Sequence, residues 1–144
     1  MTVGKIESAA VAAGHRLALR WDDGRQAEVD FEPIIAGHPV LAPLRDSRAF
    51  RQARLTDDGW SVEWACGIDF GAPQLRRWAD EQAGEIMAAA AFRDWMARHR
   101  LTLDGAAEAL GLARRTIAYY LSGERPVPKT VMLATVGYDH RQAA

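Results

Sequence analysis

From His15 to Trp21 the chain alternates polar and apolar residues, so that Leu17, Leu19 and Trp21 fall on one side of an extended segment. Asp22-Asp23-Gly24 follows, and Asp-Gly suits a tight turn that needs a positive φ. Gln26 to Phe31 then returns with Ala27, Val29 and Phe31 on the matching face, which predicts a β-hairpin. Val3 to Val11 alternates less regularly but lies between turn residues, and a further strand is expected there. A second hairpin is predicted from Ala53 to Leu55 and Trp60 to Trp64, across Asp57-Asp58-Gly59. Between the hairpins, Glu32 to Leu44 holds three prolines and a glycine, the composition of a loop with a short helical turn around Pro33-Ile34-Ile35. Asp46 or Ser47 is placed to cap a brief helix ending at Phe50. Cys66 to Phe70 closes this half, and Pro73 sits in the first turn of a helix predicted over Ala72–Ala83.

Beyond Gly84 the apolar period changes from two to between three and four. Glu85 to His99 reads as a helix, with Ile86, Ala89, Ala90, Arg93 and Met96 at helical spacing and Phe92 and Trp95 adding core bulk. Thr102 is an N-cap candidate for a second helix, in which Ala106, Ala107 and Leu110 share a face. Gly111 stands where a helix commonly ends in a left-handed residue. A third helix from Arg114 buries Ile117, Tyr120 and Leu121, turns Arg114, Arg115, Ala118 and Tyr119 outward, and stops at Ser122-Gly123. Pro128 to Val136 is expected to form a fourth. Ala106, Ala107 and Ala109 are small enough for two helices to cross closely.

Composition sharpens this division. The 144 residues are 49% apolar and 26% charged, a balance of globular rather than disordered chains. No apolar run approaches a membrane span, and the N-terminal residues lack the basic-then-apolar layout expected of a signal peptide. The single cysteine, Cys66, excludes an internal disulfide and fits a reducing cytoplasm. The net charge of −1 conceals an asymmetry: residues 1–84 carry ten Lys and Arg against thirteen Asp and Glu, whereas residues 85–144 carry eight against six. Gln82-Ala83-Gly84 is the expected joint, because glycine costs about 1 kcal/mol in a helix interior. Two domains are therefore expected, 1–83 and 84–144.

Side chains for a Cys–His hydrolase are present in Cys66, His15, His38 and the paired aspartates. Simpler roles outweigh that chemistry. The aspartates serve hairpin turns, Cys66 between Ala65 and Gly67 fills a small apolar space, and the histidines sit beside Gly14 and Gly37 in loops. No pair has metal-ligand spacing. The sequence thus predicts no enzyme, no cofactor and no metal.

The pattern Leu101-Thr102, Ala107-Glu108, Leu110-Gly111-Leu112, Arg114, Thr116-Ile117, Ser122-Gly123 and Pro126 resembles the Cro and lambda-repressor type (XRE) helix-turn-helix family. The resemblance implies an all-α module whose second helix of the pair enters the DNA major groove. Carried over position by position, it implies that Arg114 and Arg115 read bases, each able to donate two hydrogen bonds to guanine. Tyr119 lies one turn on, facing the groove. Thr102, Thr116, Ser122, Arg125 and Lys129 are implied to contact the DNA backbone. Three positions depart from the family: Ala113 replaces the usual Ser or Thr cap, Leu103 a common glutamine, and Leu121 a commonly acidic residue. No room is left for the family's usual fifth helix.

The first half is similar to a small bacterial domain family of unknown function. Trp21-Asp22-Asp23-Gly24, Val29-Asp30, Pro43-Leu44-Arg45-Asp46, Phe50, and Trp64 with Gly67-Ile68-Asp69 carry the likeness over about residues 3–78, with Ala65 where the family usually has proline. It implies an α+β fold and, in some members, an attached XRE module. The combined expectation is an α+β domain followed by a lambda-repressor-like domain, acting as a cytoplasmic, DNA-binding transcriptional regulator. It is expected to bind double-stranded DNA as a homodimer, with a protein partner open to the N-terminal domain and autoregulation in the manner of an antitoxin. The alternative expectation is a protein-interaction module that keeps the helix-turn-helix fold without DNA affinity.

Overall fold

The computed structural model describes residues 4–143. The chain divides into two compact units, Met1–Gln82 and Ala83–Ala144. The expected first strand began at Val3, which lies outside the described residues. The strand itself, β1, spans Ile6–Val11.

In unit 1, β1, β2 (Arg16–Trp21) and β3 (Gln26–Asp30) form an antiparallel sheet in that order. Leu17 stands opposite Val29 and Leu19 opposite Ala27, as the alternation requires, and Leu17, Trp21, Val29 and Phe31 are fully buried. The proline-rich connection folds into α1 (Glu32–Gly37) and a 3-10 segment (Pro39–Arg45), which bury Ile34, Ile35, Leu41 and Leu44. Asp46 caps α2 (Ser47–Phe50) by accepting from the Arg48 N–H. A second antiparallel sheet joins β4 (Arg54–Leu55), β5 (Ser61–Glu63) and β6 (Asp69–Gly71). Gly59, in the β4–β5 turn, has φ +77° and accepts from the Ile6 N–H at 2.7 Å. A Cβ there would lie 2.7 Å from the Ile6 carbonyl oxygen, so both the turn and the close approach of β1 require glycine.

Helix α3 (Ala72–Gln82) packs Leu75 and Ala79 into this core and is tied to the first sheet by polar contacts. The Gln82 carboxamide donates to the Asp30 carbonyl and accepts from the Asp30 N–H, both at 2.8 Å. Asp23 is more than a turn residue, because Arg76 donates both terminal nitrogens to its carboxylate at 3.2 and 2.9 Å. That hydrogen bonding, with the Arg25 N–H, holds the Asp23 carboxyl below its ordinary range. The Arg76 guanidinium also lies over the buried Trp21 ring.

Unit 2 departs from an all-α domain. Ile86–Met87 (β7) pairs antiparallel with Val127–Pro128 (β8), so the helix expected from Glu85 begins at Ala89. Two causes are local: Gly84 takes φ +76°, and Ala88 is extended. Pro128 belongs to the ladder rather than to a helix. Helix α4 (Ala89–Arg98) buries Phe92, Trp95 and Met96, as core assignment requires, but turns Ala90, Arg93 and Ala97 outward. Then come α5 (Leu103–Leu110), α6 (Arg114–Ser122) and α7 (Lys129–Ala143), which runs seven residues past the expected end at Val136. Among the described residues no helix is long and apolar enough to cross a membrane.

Asp139 joins α7 to the end of α4, accepting from His99 Nε2 and pairing with Arg98 at 3.6 Å. The His99 hydrogen bond, aided by the Arg98 charge against some burial, holds the Asp139 carboxyl below its usual value. A lowered native pKa means that this contribution is present above the unfolded carboxyl range and is lost as pH falls through the native value. Asp139→Asn is therefore expected to flatten the acid limb of stability, measured by urea unfolding between about pH 6 and about pH 2. An unchanged limb would place the acid sensitivity elsewhere.

Candidate nucleic-acid interface

Helices α5 and α6 meet at a short corner built by local chemistry. Thr102 Oγ1 accepts from the Gly105 N–H at 3.0 Å and fixes the start of α5. Gly111 ends α5 with φ 69°, and its N–H and that of Leu112 return to carbonyls of the last turn. Leu112 then packs inward against the cluster of Phe92, Trp95, Ala106, Ile117 and Tyr120. Ala106 is fully buried, while Ala107 and Ala109 pack at the margin of the same cluster. Burial pushes the Tyr120 phenol above its ordinary pKa, partly offset by Arg125.

The outward face of α6 begins with Arg114 and Arg115, both exposed. Ala113 supplies no side-chain cap, so its carbonyl alone joins the helix by accepting from Thr116 and Ile117. Arg114 Nε lies 3.5 Å from Asp104 Oδ1, with both side chains largely in solvent. Arg115 donates Nε–H to the Tyr119 hydroxyl at 2.8 Å and lies over the Tyr119 ring, and its two terminal nitrogens make no hydrogen bond among the described residues. The Arg125 guanidinium stacks over the other part of this assembly, 4.5 Å from the centre of the Tyr119 ring. Arg115, Tyr119 and Arg125 therefore form one stacked group, and Tyr119 is half-buried beneath it.

The remaining expected contacts are distributed unevenly. Ser122 Oγ donates to the Tyr119 carbonyl at 3.1 Å and accepts from the Glu124 N–H at 3.3 Å, so its hydroxyl finishes α6. Thr116 is half-buried, and Lys129 is exposed at the first position of α7. Leu103 is partly buried and packs against the hydrophobic cluster. The Arg115–Tyr119 pair is a contact the sequence reading missed, although its i, i+4 spacing announces it. The assembly offers cations and N–H donors on one helix face, a set suited to phosphate oxygens and guanine edges.

Each residue type of the hydrolase constellation has its own local surroundings. Cys66 is exposed, against the expectation that it fills an apolar space, because the Trp64–Gly67 turn lifts it to the surface. His15 Nε2 instead donates to the Arg45 carbonyl at 3.0 Å, and His38 Nδ1 meets the Ile34 carbonyl at 2.8 Å.

The profile of a protein family of unknown function, DUF2442, matches residues 6–81. A crystal structure of a protein from Nitrosomonas europaea, described as a putative DNA binding protein, is 37% identical in sequence. It covers 96% of this chain and 90% of its own, with a TM-score of 0.55. No curated protein matches the chain.

Proposed function

The chain belongs to the DUF2442 family of proteins of unknown function, and we propose that its C-terminal unit is a helix-turn-helix reader of double-stranded DNA. The observation that carries this reading is the pair of exposed arginines, Arg114 and Arg115, on the first turn of the second helix across a left-handed glycine corner. In such a pair the second helix enters the major groove with its N-terminal residues toward the bases. The free terminal nitrogens of Arg115 suit guanine O6 and N7, and Tyr119 positions them. Thr102, Thr116, Arg125 and Lys129 would hold phosphates, with Ser122 acting through the end of the helix. The relative described as DNA-binding, alike over nearly the whole chain, supports the same reading.

Residues 85–144 carry a net charge of only +2, so one copy would make few phosphate contacts. The reading therefore takes the protein as a cytoplasmic homodimer on a two-fold operator. It would control transcription, its own operon included in the manner of an antitoxin, with unit 1 serving the dimer or a protein partner. No catalytic role is assigned.

A second reading, a protein-interaction module without DNA affinity, draws on the internal partners of both arginines, Asp104 and Tyr119, and on the uncapped start of α6. Salt separates the two. Fluorescence anisotropy with duplex from its own promoter and a random duplex is expected to show selective binding that weakens about 10³-fold or more between about 50 and 200 mM salt. Negligible binding to both by a folded dimer would transfer the assignment to the interaction module.

A further inference from the structure

Unit 1 is acidic overall, with thirteen Asp and Glu against ten Lys and Arg in residues 1–84, and half of those cations stand in ion pairs. Arg16, Arg20, Arg25, Arg54 and Arg76 each face an acidic side chain within 4.0 Å. Arg45, Arg48 and Arg51 are exposed, and none of them takes part in an ion pair among the described residues. They recur every third residue in a single stretch.

Their backbone is nevertheless held firmly. Leu44 and Phe50 are fully buried beneath the stretch. His15 Nε2 donates to the Arg45 carbonyl at 3.0 Å, and the His15 ring packs 5.1 Å from that of Phe50. Asp46, the only acid between Arg45 and Arg51, spends its carboxylate on the Arg48 N–H at 2.8 Å. Arg51 continues the helical backbone of α2, so its side chain leaves about 5–6 Å from that of Arg48. The result is a rigid base carrying three uncommitted guanidinium groups. Glu32, which lines a cleft of about 300 Å³ together with Arg45, marks the acidic border of this patch.

We propose that Arg45, Arg48 and Arg51 are a second DNA contact, gripping duplex phosphates without reading bases; this rests on the DNA reading of unit 2. A phosphate backbone needs only positive charge and N–H donors, whereas protein interfaces centre on buried apolar or aromatic anchors. This stretch exposes no such anchor: Phe50 is buried, and Ala49 is its other apolar side chain. Unit 1 on this view belongs to the DNA-binding machinery and is not solely a dimer or partner module.

The test uses the full chain, the own-promoter and random duplexes, and a salt series. Arg45→Gln/Arg48→Gln/Arg51→Gln is expected to reduce the slope of log K against log salt by about 3 for each protomer, or about 5–6 for the bound dimer, on both duplexes. The preference between duplexes and the melting temperature should stay as in the parent. A parental slope in the triple variant overturns the proposal and leaves the role of α6 intact. Arg114→Ala/Arg115→Ala runs alongside: if it leaves binding unchanged while the triple variant still flattens the slope, base reading by α6 fails and the phosphate grip stands. Failure of the parent to bind either duplex overturns both. Poly-glutamate supplies the last arm, since loss of poly-glutamate binding with DNA binding retained would assign the patch to an acidic protein and overturn the proposal.

Discussion

Arg114→Ala/Arg115→Ala is expected to remove most of the preference for the cognate duplex while leaving the protein folded. Each guanine held by two hydrogen bonds is worth about 1–3 kcal/mol of discrimination. Loss of both contacts therefore reduces selectivity by roughly 30-fold to 10⁴-fold at each half-site. The internal partners do not protect the arginines from this role. The Arg114–Asp104 pair is 3.5 Å long with side chains 65% and 77% exposed, a setting in which an ion pair contributes about 0–1 kcal/mol. The Arg115–Tyr119 hydrogen bond occupies Nε alone, so the fork that fits guanine remains available. Alanine is a good helix former, and both sites are exposed, so stability should move by no more than about 0.5 kcal/mol. Arg115→Lys sharpens the reading, because it keeps the charge but cannot make the planar two-bond contact. It should retain the salt slope and lose selectivity. Undiminished selectivity in the double variant, with the melting temperature unchanged, would remove α6 from base reading.

The features legible in the sequence share a local cause. Alternation through Leu17, Leu19 and Trp21 with Asp-Gly beyond it specified β2, its turn and β3 down to the buried face. Thr102 and Gly111 marked both ends of α5 because capping is written within four residues. What escaped was either too short or too distant. Two-residue strands such as β7 and β8 have no periodicity to detect, and Ile86 satisfies a helical spacing equally well. Asp23 and Arg76 are 53 residues apart, so nothing near Asp23 announces that its carboxylate grips α3. Cys66 was misjudged from its small neighbours, although Gly67, with φ +89°, also marks the surface turn that exposes it. At the candidate interface the positions of Arg114 and Arg115 were readable, but their present partners were not. Helix face is set by spacing, whereas the direction of a long exposed side chain is set by what lies within its reach.

Phe31→Ala is expected to cost unit 1 about 3–5 kcal/mol, the usual range for removing a buried aromatic ring. Phe31 is fully buried where β3 passes into α1. Its ring lies 5.4–5.9 Å from those of Phe50, Trp64, Phe70 and Trp78. One side chain thus joins α2, the residue after β5, the middle of β6, and α3 to the first sheet. A domain of this size is stabilised by about 0.05–0.15 kcal/mol per residue, so the loss consumes much of what holds unit 1 folded. Val40→Ala is the matched control, since Val40 is 77% exposed in the same unit and its truncation should stay within about 0.5 kcal/mol. Urea unfolding followed by hydrogen exchange resolved along the chain would locate the effect. Protection should fall through β1, β2 and β3 in Phe31→Ala and hold in Val40→Ala. Equal small shifts for the two variants would mean that the aromatic cluster relaxes around the gap, and that the link between β3 and α3 rests on the Asp23–Arg76 and Asp30–Gln82 contacts instead.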